Sequence, residues 1–182
     1  IVGGNDWLRK GGAWIYTRTG NTWTQQGPRL VGTGGSSNAT QGVSVALSGD
    51  GNTAIVGGFL DAGNKGAVWI YTRTGTTWTQ QGTKLVGTGA TGASQQGSAV
   101  DLSTDGNTAL VGGNGDNASK GAMWVFTRSG STWTQQGSKL VGTGKVGQYS
   151  NEGVAVSLSG DGNTAISGGL SDNSTMGAAW VY

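Results

Sequence analysis

The chain contains no cysteine and no histidine. That excludes disulfide staples, thiolate and imidazole metal sites, and every nucleophile–histidine arrangement. Proline occurs once, and only 11% of the 182 residues are charged. Eleven Lys and Arg stand against nine Asp and Glu with no basic run, so the clustered stripe that nucleic acid requires is missing. Glu152 is the single glutamate, whereas a glycosidase needs two carboxylates across a cleft. No Gly-Lys-Ser/Thr phosphate loop occurs. No apolar run approaches the length of a membrane span. The expectation is a protein that is not an enzyme, does not insert into a membrane and binds no nucleic acid. The chain opens "IVGG", without Met and inside a repeat, which reads as a processed or excised piece or a stretch of something longer.

What the chain has in abundance is glycine (38 residues), threonine, serine and evenly spaced apolar residues. This is not the profile of a disordered chain, which carries high charge and few aromatics. It is also repetitive. "TRTGNTWTQQGPRLVGTG" (17–34) returns as "TRTGTTWTQQGTKLVGTG" (72–89) and "TRSGSTWTQQGSKLVGTG" (127–144). Trp23, Trp78 and Trp133 are 55 residues apart, and Trp14, Trp69, Trp124 and Trp180 follow at 55, 55 and 56. The chain therefore divides into a partial unit (1–42), two full units (43–97 and 98–153) and a second partial unit (154–182), forming one repeat domain.

Each unit holds four strands, A to D. Strand A is "VSVAL" (43–47), with Val43, Val45 and Leu47 on one face. An Asp-Gly hairpin leads to strand B, "TAIVGG" (53–58). Strand C is "AVWIYTR" (67–73), and a Gly-centred turn at Thr74–Thr77 leads to strand D, "WTQQGTKLV" (78–86). That turn sets Arg73 opposite Trp78, and likewise Arg18 opposite Trp23 and Arg128 opposite Trp133, as cation–π pairs. No segment has a helical period. Four-stranded antiparallel units of about 55 residues predict an all-β fold of β-propeller blades, with a β-solenoid as the alternative. The first unit lacks its A strand and the last its D strand, so further units, from copies of the chain or from a longer chain, are expected at both ends.

The stretch "LSGDGNTAIVGGFLDAGNKGAVWIY" (47–71) resembles the FG-GAP repeat, the blade of the integrin α-chain propeller and of many bacterial surface proteins. The "TWTQQGxKLVGTG" continuation is similar to a bacterial subgroup, and the resemblance covers essentially the whole chain. It implies an extracellular or cell-surface module for recognition, adhesion or scaffolding. Such blades often carry a calcium loop, D-x-D/N-x-D-G-x-x-D. Here Asp50 keeps only the central acid among Ala46, Ser48 and Ala54, and Asp161 sits among Ser157, Ser159 and Ala165. Asp101 and Asp105, with Ser103 and Ala109, are the best remaining metal candidates. With the last ligand missing each time, no calcium or other cofactor is expected. The sialidase Asp-box pattern does not match.

Variation among the units is uneven. The A–B and C–D turns are nearly fixed, whereas the B–C loops and D–A links differ. In a propeller these two variable connections emerge on one face, and loops on a rigid scaffold carry binding. The expected ligand-face residues are Trp7, Arg9, Asp61, Asn64, Asp116, Asn117, Tyr149, Glu152, Asp172 and Asn173. A glycan or a protein is the expected ligand, with a carbohydrate-binding lectin, or a subunit of a filament or engineered ring, as alternative functions. The strand C tryptophans read as packing between units rather than as a sugar-stacking surface. Asn38, Asn117 and Asn173 lie in glycosylation-type triplets within loops.

Overall fold

The Asp-Gly pairs at 50–51, 105–106 and 161–162 reverse the chain between strands A and B. Their glycines adopt φ of 66°, 66° and 74°, a left-handed conformation that costs a Cβ-free residue little. The computed structural model describes residues 1–6 and 10–182. The first unit holds β1 (Val2–Gly4), β2 (Gly12–Trp14), β3 (Tyr16–Thr19) and β4 (Thr22–Gln25). The second holds β5 (Ser44–Leu47), β6 (Thr53–Gly58), β7 (Ala67–Thr74) and β8 (Thr77–Gln80). The third holds β9 (Ala99–Leu102), β10 (Thr108–Gly113), β11 (Ala122–Ser129) and β12 (Thr132–Gln135), and the fourth β13 (Ala155–Leu158), β14 (Ala165–Gly169) and β15 (Ala178–Val181). The fold is all-β, with antiparallel sheets β5-β6-β7-β8, β9-β10-β11-β12 and β13-β14-β15. In the first unit, strand C divides at Ile15, giving the two-stranded sheets β1-β2 and β3-β4.

Strand D is shorter than the expected 78–86. After Gln80 only two contacts with β7 remain: the Gln81 amide donates to the Ile70 carbonyl (2.8 Å), and Leu85 bridges Val68. Two residues of β7 are thus spanned by four of the facing segment, a bulge around Gly82 at φ 72°. The C–D register is as read from the sequence: Arg18 faces Trp23, Arg73 faces Trp78 and Arg128 faces Trp133. The guanidinium carbons lie 5.9, 5.7 and 5.3 Å from the ring centroids.

The central sheets are buried on both faces, because each is packed between two neighbours. Ala54, Val56, Trp69 and Tyr71 meet Ala13, Ile15 and Leu30 of the first unit. From the opposite face, Ile55, Val68 and Ile70 meet Val111, Trp124 and Phe126 of the third. Leu110 and Met123 then meet Leu158 and Ala165 of the fourth. Strands β5, β9 and β13 neighbour one another in turn, and their A–B turns are joined by Gly49 N–H to Thr104 O (2.9 Å) and Thr104 N–H to Gly160 O (2.8 Å).

The repeated "VGTG" joins each unit to the next. The indole N–H of Trp69 donates to Thr33 O at 2.8 Å, Trp124 to Thr88 O at 2.8 Å, and Trp180 to Thr143 O at 2.9 Å. The ring approaches so closely that a Cβ on Gly32 would lie 2.0 Å from Trp69 Cδ1, and one on Gly87 2.1 Å from Trp124 Cδ1. Behind this contact, buried Gln41 accepts the Gly32 amide (2.6 Å) and donates to its carbonyl (3.0 Å). The phrase written three times is therefore a hairpin followed by a clamp between units.

Candidate ligand-binding face

The B–C loops contain what the sequence did not announce: one-turn helical segments α1 (Asp61–Asn64), α2 (Asp116–Ser119) and α3 (Asp172–Thr175). Their inner residues are left-handed. Asn117 and Ala118 have φ of 49° and 56°, and Asn173 and Ser174 of 48° and 58°. For residues other than glycine this conformation costs about 1–3 kcal/mol each. The surrounding bonds hold it: Gly66, Gly121 and Gly177 donate their amides to the carbonyls of Asp61, Asp116 and Asp172 at 3.0, 2.9 and 3.0 Å.

The same three aspartates were expected at the ligand face, and the structure corrects that placement. Asp61, Asp116 and Asp172 are buried. Their carboxylates accept the link amides of Ser36 (2.7 Å), Thr91 (2.7 Å) and Val146 (2.9 Å). Lys84 pairs with Asp61 and Lys139 with Asp116. A carboxylate taken from water needs such partners, so these acids are spent on bracing the loops. Glu152 is corrected for the same reason. It is fully buried, accepts the Gly142 amide (2.9 Å) and the Tyr182 hydroxyl (2.6 Å), and pairs with Lys145 at 2.6 Å. It occupies the place of Gln41 and Gln96. Burial and the Glu152 carboxylate together push the Tyr182 hydroxyl well above its usual range.

Asn64, Asn117, Tyr149 and Asn173 are exposed on this face. Trp7 and Arg9 lie outside the described residues. Between the third and fourth units opens a cleft of about 500 Å³, lined by Ser119, Gln148, Tyr149, Asn151, Ser174 and Thr175 among others. Of these only Tyr149 was singled out from sequence. The available signal was the 56-residue step from Trp124 to Trp180, which marks one inserted residue in the D–A link. The chemistry the cleft offers is hydrogen bonding from amides and hydroxyls beside one exposed ring.

Asp101 and Asp105 do not share one role. Asp105 closes its own turn, accepting from Ser103 Oγ (2.6 Å) and the Asn107 amide (2.9 Å). Asp101 reaches the next unit, where it accepts the Leu158 amide at 2.8 Å. Among the described residues, no group of three or more acidic side chains gathers to hold a metal. The Ser103 hydroxyl, with the Asn107 amides, holds the Asp105 carboxyl below its usual range; Asp50 and Asp161 are held low in the same way.

No family model and no curated protein matches the chain. Among solved structures it is similar to TolB from Acinetobacter baumannii, at 11% sequence identity and a TM-score of 0.45. That match covers 87% of this chain and 32% of the other, so the chain spans about a third of the length of its neighbour.

Proposed function

We propose that the chain is a non-enzymatic recognition module of the extracellular space or cell surface, built from FG-GAP-type propeller blades. The observation that carries this reading is the division of labour within each unit. The recurring residues are consumed by packing: Trp69, Trp124 and their glycines in the clamp, and Arg73 and Trp78 in the hairpin. The residues that differ gather in strained, braced loops around the cleft at the third and fourth units. The propeller arrangement is supported by sheets buried on both faces with β5, β9 and β13 side by side.

The test replaces the link 145–153 with 90–97 and probes both chains on an array of glycans, peptides and matrix proteins. The native chain is expected to mark a subset of spots that the replaced chain loses. Identical patterns, or none, overturn the reading.

A second observation favours a scaffolding role by end-to-end contact with copies of the chain. Ile166 and Val181 stand 43% and 68% exposed in the fourth unit, whereas Ile55 and Ile70, at the same places in the second, are fully buried by a neighbour.

A further inference from the structure

We infer that the cleft over the junction of the third and fourth units binds a neutral sugar, with Tyr149 as its stacking platform. The inference rests on the proposal that this face recognises ligands, and it names the ligand class. Two differences from the preceding junction shape the cleft.

The first is the inserted residue. Val146 N–H to Asp172 and Ser150 Oγ to the Lys120 carbonyl fix the third link. Thr91 N–H to Asp116 and Ser94 Oγ to the Lys65 carbonyl fix the second in the same way. Between those anchors the second link has Gly92 and Ala93, while the third has Gly147, Gln148 and Tyr149. With both ends pinned, the extra residue is pushed outward, and the Tyr149 ring is left half exposed. The second difference is a shortened side chain. At the preceding junction Gln95 lies over Gly115, its Cγ and Cδ each 2.9 Å from where a Cβ would sit. Asn151 takes the place of Gln95 and is one methylene shorter, while Ser171 takes the place of Gly115, so a short amide and a hydroxyl line the cleft where a long amide lay over a glycine. The backbone around the cleft is common to both junctions: Ser119, Asn151, Ser174 and Thr175 are held at φ between 54° and 74°, as Asn64, Gln95, Ala118 and Ser119 are one junction earlier, so the polar groups stand on a fixed frame and less ordering is lost on binding.

The chemistry of the lining selects the ligand. No side chain that lines the cleft carries a charge. Of the ionised groups on the flanking segments, Asp172 is spent on the Val146 amide and Lys145 on Glu152, while Lys120, next to Ser119, is exposed. The lining itself therefore offers neither a cation to an anionic ligand nor a carboxylate to a cationic one. Amides and hydroxyls both donate and accept, as sugar hydroxyls do, and an exposed phenol ring offers an apolar surface to the C–H face of a pyranose. The volume of about 500 Å³ lies in the range of small-molecule sites and suits one or two sugar rings.

The test is an amide NMR titration of the whole chain with methyl mannoside, methyl galactoside, N-acetylglucosamine and cellobiose, with sialic acid and inorganic phosphate as charged probes. At least one neutral sugar should shift the amides of 147–151 and 171–175 saturably, with a dissociation constant on the order of 1 mM. Tyr149→Ala should weaken it about tenfold or more without lowering the melting temperature, and Tyr149→Phe should retain it. Deleting Gln148 should abolish the shifts. If no neutral sugar moves these amides, if the shifts survive Tyr149→Ala, or if a charged probe binds more tightly, the inference is overturned. Loop-dependent array binding that persists without a sugar response overturns only the sugar assignment; its absence overturns the recognition reading itself.

Discussion

Asp50, Asp105 and Asp161 each accept a serine hydroxyl two residues before and an amide two residues after, so each ionised carboxylate pins an A–B turn. Their carboxyls are held below the usual range, led by the serine bond. A depressed folded value adds stability that is complete above the unfolded value near pH 4 and lost as the pH falls through the folded one. The urea midpoint should therefore fall as the pH is lowered from about 5 to about 2. Asp105→Asn should flatten part of that fall; an unchanged slope would show that the turn carboxylates contribute nothing. Tyr71 poses the opposite case. Its ring is 3% exposed, burial raises its hydroxyl far above the usual range, and that hydroxyl finds no partner among the described residues. Phe126 fills the same place one unit later, 4% exposed. Since a buried hydroxyl without a bond is a desolvation loss, Tyr71→Phe should stabilise the chain by about 1 kcal/mol. A melt that falls by several degrees would mean that the hydroxyl is bonded after all.

At the scale of elements, the two tryptophans of a unit differ in what they hold. Trp69 is fully buried against the preceding link, so Trp69→Ala should cost about 3–5 kcal/mol in a denaturant titration. Trp78 is only partly buried. Its indole donates to Gln26 of the previous unit at 3.0 Å, and its counterpart Trp23 is 63% exposed. Trp78→Ala should therefore cost clearly less, about 1–2 kcal/mol, and equal losses would refute the distinction. The clamp also has a steric side: Gly87→Ala forces a methyl into the Trp124 ring and should cost about 1–3 kcal/mol. Strands and hairpin register were legible in sequence because Asp-Gly turns and period-two faces are local signals. The D-strand bulge had a local signal, the glycine of "TQQGTKLV" that takes a left-handed conformation at Gly82, but the segment reads as an unbroken strand through it. The burial of Asp61 was not legible, because a polar loop residue reads as exposed until Lys84, 23 positions away, is seen beside it. Tyr149 could be named from sequence, but the cleft around it needed the left-handed turns of the B–C loops, whose polar residues read as ordinary loop.

For the whole molecule, the proposed end-to-end contact turns on the faces of the first and fourth units. Every internal junction repeats one fit, in which a face of Ile55, Val68 and Ile70 receives the face of Val111, Trp124 and Phe126. The fourth unit presents the first of these faces uncovered, with Ile166 and Val181 exposed. The first unit presents the second, with Val2 53% exposed and Trp14 and Tyr16 half-buried. The two surfaces are different, so the end-to-end contact proposed above would be head to tail, not two-fold. Such a contact would close into a ring or run on as a filament according to the rotation at each step. Sedimentation of the chain at rising micromolar concentration should show association beyond a dimer. A lysine placed in either face leaves a charge to be desolvated without a partner, so Val2→Lys and Val181→Lys should each give a monomer by itself. The polarity of the contact makes the decisive experiment a mixture of the two. Val2→Lys keeps a working fourth-unit face and Val181→Lys a working first-unit face, so together they should form a capped dimer and nothing larger. Homodimers of either single variant would point to a two-fold contact. A native chain that remains monomeric at about 100 μM, a concentration that detects contacts worth roughly 5–6 kcal/mol, would refute end-to-end assembly.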